Sequence, residues 1–167
     1  MGPEQFIDPT AVLFGKLLLA MFLGGLIGTE RAVIARQAAG TRTFGLVALG
    51  ACLFVIIGSH VDTAYIGILT FDPLRIAAAV VMGIGFLAGG LIIFKRDAIH
   101  GATTAAGLWI ATGIGMAVGF GMYSVSIFAA VLTLLMFSVM WYIENRFKHW
   151  FEGAGLARDD KIHSDSH

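Results

Sequence analysis

The sequence predicts an all-α, polytopic transmembrane helical bundle of about five spans, packed closely through glycine. Three observations carry that expectation. Of the 167 residues, 57% are apolar and 13% charged, and the mean hydropathy is +0.84. A soluble domain of this size buries about two-thirds of its chain surface and coats the rest with polar groups, and this chain has too few charges for such a coat. Second, the apolar residues fall into stretches of spanning length, two of them opened by Asp-Pro. Third, the 22 glycines are concentrated inside those stretches.

A bilayer core of about 30 Å needs roughly 20 mostly apolar residues in a helix. The first span is Ala11 to Thr29, preceded by Asp8-Pro9, an N-cap residue followed by proline at the first helical position. Its one interior charge, Lys16, lies within snorkelling reach of the nearer surface. Glu4 and Asp8 stand where a cleaved signal peptide would carry basic residues, so the span is expected to be retained. The second span, Thr43 to Ser59, carries no charge. The segment Thr63 to Phe71 is too short to cross and is expected at the interface. The third span, Ile76 to Phe94, follows Asp72-Pro73. Gly101 to Ile143 is uncharged and long enough for two spans, broken at Gly119-Phe120-Gly121-Met122-Tyr123-Ser124. Membrane strands are excluded, because no stretch alternates and Gly, Ala and Met are too frequent. Helices also satisfy their own backbone groups, which lipid demands.

Five crossings put Arg31, Arg36, Arg42, Lys95, Arg96, Arg146, Lys148, Arg158 and Lys161 on one side. The other side keeps only Lys16 and Arg75. The positive-inside rule then sets the N-terminus outside and the C-terminus in the cytoplasm. Trp141, Tyr142 and Trp150 fall near the inner interface. Residues 1–143 form the membrane domain. Residues 144–167 form a cytoplasmic extension, amphipathic over Glu144 to Gly153 and polar and disordered beyond Arg158. His163 and His167 are expected to be solvated there.

The 11 basic and 11 acidic residues balance, so nucleic acid is not an expected partner. Cys52 is the single cysteine, which excludes an internal disulfide. There is no HExxH, GxSxG or Walker loop, and the glycine run Gly83 to Gly90 lies within a span with no strand before it. A non-enzymatic protein without a cofactor is expected. Its partners are the bilayer, with a second copy or another membrane protein left open.

Charges at the span ends single out a cytoplasmic rim of Glu30, Arg31, Arg42, Thr43, Thr103 and Thr104. A carboxylate at a span boundary requires a partner. Arg42, outside the helix of Glu30, or its neighbour Arg31 can supply one, and the threonines can cap helix starts. On the outer side, Asp62, Asp72 and Arg75 form a second group, with Asp72 read as a cap in a local ion pair with Arg75. Two aspartates are too few for a divalent-cation site, and no metal ligand set is assigned. The small residues Gly24 and Gly28, Gly85 and Gly89, and Gly107 and Gly115 recur four or eight apart, the spacing of close helix packing. The last pair belongs to the stripe Thr103, Gly107, Ala111, Gly115, Gly119.

Four segments also resemble the MgtC/SapB family of bacterial inner-membrane proteins. They are Gly24 to Arg31 (GGLIGTER), Ala39 to Ala51 (AGTRTFGLVALGA), Asp72 to Ala77 with Gly83 to Gly90, and Gly101 to Trp109 (GATTAAGLW). The resemblance covers about Phe14 to Tyr142. It implies a five-span domain linked to growth in low magnesium and, in pathogens, to survival in phagocytes. It also implies a modulator of other membrane systems more than a transporter. Ala102 stands where the family often has leucine, and the soluble C-terminal domain of virulence-type members is not matched here. A transporter or channel for a small ion or solute is the alternative. Against it, mid-span polar residues are few: Cys52, Thr112, Thr133 and Ser138.

Overall fold

A computed structural model describes residues 9–33, 39–64, 72–95 and 98–164. Five helices account for nearly all of them: α1 (Pro9–Val33), α2 (Thr41–Ala64), α3 (Pro73–Gly89), α4 (Ala102–Gly119) and α5 (Tyr123–Ser164). A short antiparallel hairpin, β1 (Ile93–Lys95) with β2 (Ala98–His100), joins α3 to α4, with Phe94 opposite Ile99. The all-α polytopic bundle expected from the sequence is therefore the fold. Four helices hold apolar segments long enough to cross a bilayer: Thr10–Val33, Thr41–Val61, Ala102–Gly119 and Tyr123–Ile143.

The third span is shorter than its hydropathy suggests. Asp72 and Pro73 open α3 as expected, with the Asp72 carboxylate accepting the Leu74 N–H at 2.9 Å. The helix stops at Gly89, however, where the expected span ran to Phe94. Gly90, Leu91 and Ile92 each donate to an oxygen three or four residues back, closing a tight turn. The chain then extends into β1, as the branched and aromatic run Ile92-Ile93-Phe94 favours. Hydropathy reads apolarity and is blind to this change of backbone. At Gly101, with φ +85°, a Cβ would strike the Leu91 carbonyl oxygen, so only glycine brings the hairpin back against the end of α3.

Seventeen residues make α3 about 26 Å long, marginal for crossing. The packing nevertheless requires the chain to return between α2 and α4. Gly24 and Gly28 of α1 meet Ala48 and Gly40 on the α2 side, so those two helices are antiparallel. Gly115 and Gly119 of α4 meet Ala48 and Val55, so α2 and α4 run the same way. A chain that leaves α2 at one surface and enters α4 at the other must return in between. Among the described residues α3 and its hairpin lie there, so α3 carries the chain back along the bundle.

The core of α1, α2 and α4 is apolar and closely fitted: Ile27, Phe44, Ala48, Leu108, Ala111 and Val118 are at most 1% exposed. The outward surfaces carry large exposed apolar side chains, such as Phe22, Phe54 and Phe86. In water such a surface would aggregate; facing lipid it is the expected coat.

The chain divides into two units, residues 1–134 and 135–167. The second is the continuation of α5, which stays helical through Ser164. The expected disorder beyond Arg158 is thus corrected as far as Ser164. Polar composition sets solvation, but Leu156, Ala157, Arg158 and Lys161 are also sound helix formers. Of the interfacial segment expected over Thr63 to Phe71, Thr63 and Ala64 continue α2, and residues 65–71, like Asp8, the expected first cap, lie outside the described residues.

Candidate functional site

Close packing at glycine builds the site. A Cβ on Gly24 would lie 2.6 Å from both the Phe44 carbonyl oxygen and the Ala48 Cβ, and one on Gly28 would lie 2.6 Å from the Gly40 oxygen. One on Gly115 would strike the Ala48 carbonyl oxygen. Backbones that touch in this way let the end of α1 and the start of α4 meet without intervening side chains. Gly107 is also buried on α4. Gly85 and Gly89 differ from expectation: a Cβ there would meet nothing within 4 Å. Ile84 faces the bundle at 5% exposure, so Gly85 and Gly89, one and five residues on, lie about 100° and 140° round the helix from it. These two glycines pack no helix among the described residues.

At that junction Glu30 and Arg31 are 7% and 6% exposed. One Arg31 amino group (Nη2) donates to the Thr103 hydroxyl at 3.0 Å, linking α1 to α4. The other (Nη1) stands 3.9 Å from Glu30 Oε2, a long contact because successive residues diverge round a helix. Among the described residues, neither Glu30 oxygen accepts a hydrogen bond, and the buried Thr104 hydroxyl is also without one. The result is a buried, charge-balanced pair whose acceptors are unspent, opposite a threonine pair on the facing helix.

The expected Glu30–Arg42 pair is not formed. Thr41, Arg42 and Thr43 all lie exposed at the start of α2, where the Thr41 hydroxyl meets that of the exposed Thr29 at 3.0 Å. The threonines are not caps either. Gly101 holds the N-cap position of α4 with no side-chain bond, and Thr103 is committed to Arg31.

The outer group does not assemble as expected. Asp72 serves the backbone of α3, and no ion pair joins it to the exposed Arg75 among the described residues. Asp62 lies in the last turns of α2, with its side chain outside the described residues. Lys16, expected to snorkel, instead donates to the Gly119 carbonyl at 2.9 Å. Carbonyls at a helix C-terminus lack intrahelical partners and carry partial negative charge, so they hold an ammonium well. Lys16 as the lone charge of the first span was the sequence signal; its partner, 103 residues away, was not legible. Among the described residues, no three His, Cys, Asp or Glu side chains come together as a metal site.

Comparison with known proteins adds the family. The model of the MgtC family matches residues 17–146, more than three-quarters of the chain. The chain belongs to the MgtC family. The match runs from α1 into α5 and includes every rim residue described above. Among its relatives is the "Putative magnesium transporter YhiD" of Escherichia coli K12, 40% identical over 78% of this chain and 61% of that protein. Protein MgtC of Salmonella typhimurium is 42% identical over 71% of this chain and 48% of its own length. An uncharacterized protein of Haemophilus influenzae is 36% identical over 90% of this chain and 63% of that protein. The chain thus spans half to three-fifths of these relatives. No solved structure matches it.

Proposed function

We propose that this MgtC-family chain is a non-enzymatic module of the bacterial inner membrane that modulates magnesium-linked ion homeostasis. It acts through the rim built from Glu30, Arg31, Thr103 and Thr104. One observation carries the reading. The buried charges of the α1–α2–α4 core, Glu30 and Arg31, lie with Thr104 at one end, and beyond them the helices close on each other through Gly24, Gly115 and Gly119. A buried charged pair bonded to the exposed Thr103, with Arg42 and Thr43 also exposed, suits docking or sensing. The one-sided basic residues support a cytoplasmic rim and an N-terminus outside. An impermeant thiol reagent on intact cells then reaches a cysteine placed at Ala64 and misses one at Ala38; the reverse labelling overturns the orientation.

Transport is the second reading, favoured by the printed name of the Escherichia coli relative. Magnesium flux into proteoliposomes under an imposed gradient separates the two. The modulator gives flux equal to empty vesicles. Flux above that background, abolished by Glu30→Gln, would establish a transporter.

A further inference from the structure

On the flank of the bundle away from α1, a groove of about 840 Å³ runs between α2 and α3. That volume lies within the ~300–1,000 Å³ of ligand sites. Gly50, Phe54 and Ile57 of α2 form one wall, Ala79 and Gly83 of α3 the other, and among the described residues Thr112 of α4 contributes the only hydroxyl. That hydroxyl already donates to the Leu108 carbonyl at 2.9 Å. The groove therefore asks nothing of its occupant but apolar surface. Phe54 and Ile57 are about half exposed, so it opens directly onto the lipid-facing side of the helices.

Its mouth is charged. Arg75, Ala79 and Gly83 are spaced four apart and share one stripe of α3, so Arg75 stands one turn above the groove wall. The residue is exposed. The acid nearest in sequence, Asp72, is turned to the Leu74 N–H. One bilayer leaflet is about 15 Å of hydrocarbon, or roughly ten helical residues. Counted from Arg75, that depth reaches Gly85 and takes in the wall at Ala79 and Gly83. A guanidinium at the interface above an apolar slot of leaflet depth matches a phosphodiester above acyl chains.

We infer that the α2–α3 groove is a phospholipid-binding site, with acyl chains against Gly50 and Gly83 and the headgroup phosphate on Arg75. It is distinct from the rim and does not depend on the function proposed there.

The test uses the full chain in nanodiscs of phosphatidylglycerol and phosphatidylethanolamine, moved into a phosphate-free maltoside. Phospholipid retained per chain is then counted by native mass spectrometry. Gly50→Phe and Gly83→Phe fill the groove, and since an added Cβ meets nothing within 4 Å at either position the fold tolerates them. Gly15→Phe, at an equally open position on α1, is the control. The expected result is one retained phospholipid in the wild type and in Gly15→Phe, and none in the groove-filled variants. Arg75→Gln is expected to weaken retention about tenfold, the loss of one charge-assisted hydrogen bond. Three results overturn the inference: no lipid retained by the wild type, retention unchanged by the two groove substitutions, or disulfide-linked dimers of Gly83→Cys. The last would show that a second copy fills the groove.

Discussion

Gly115→Leu is expected to abolish the folded bundle in mild detergent, while Gly85→Leu leaves it intact. The first Cβ alone strikes the Ala48 carbonyl oxygen, an atom that moves only if all of α2 moves. Overpacking a fitted core costs about 1–3 kcal/mol, occasionally more. A clash with backbone belongs at or above the top of that range. Gly85 has no neighbour within 4 Å, so its substitution should stay within about 0.5 kcal/mol, as for other surface positions. The temperature at which each variant loses its monodisperse chromatographic peak checks the pair. Equal stability of the two would mean that the α2–α4 contact does not hold the bundle together.

Arg31→Met should be nearly as damaging. It removes the cation beside a buried carboxylate and the bond to Thr103 together. Breaking one side of a buried ion pair costs about 3–5 kcal/mol, chiefly because the other charge is stranded. Adding Glu30→Gln to Arg31→Met removes the stranded carboxylate charge while the amide keeps the shape. The double variant Arg31→Met, Glu30→Gln should therefore recover most of the loss in the same thermal assay. A double variant no better than Arg31→Met would show that Thr103, rather than charge balance, sets the cost.

Apolar length, cap residues and glycine spacing made the helices legible. Asp72-Pro73 marked the start of α3, and Gly119 to Ser124 marked the break between α4 and α5. The end of α3 was not legible, because Leu91 to Phe94 are as apolar as the helix before them and only backbone geometry separates turn from span. For the site, the rim residues were legible as charges and hydroxyls at span ends, but their pairing was not. Arg42 looked like the partner of Glu30 by level in the membrane. Its exposed place at the start of α2 depends on how that helix is rotated against α1, which no spacing rule reveals. Lys16 is the same case, visible as a charge and paired only once α1 and α4 are known to be antiparallel. Gly85 and Gly89 have the spacing of a packing pair, but spacing does not say which face of a helix meets a neighbour.

The rim claim is tested most directly by growth in low magnesium of a strain that depends on this chain and carries only Glu30→Gln. Membrane levels are measured by immunoblot in the same cultures. Because Glu30 meets Arg31 only at 3.9 Å and Arg31 keeps its bond to Thr103, the account predicts normal membrane levels and no growth. Normal levels with full growth would contradict it, and Glu30 would then hold the helices together without carrying function.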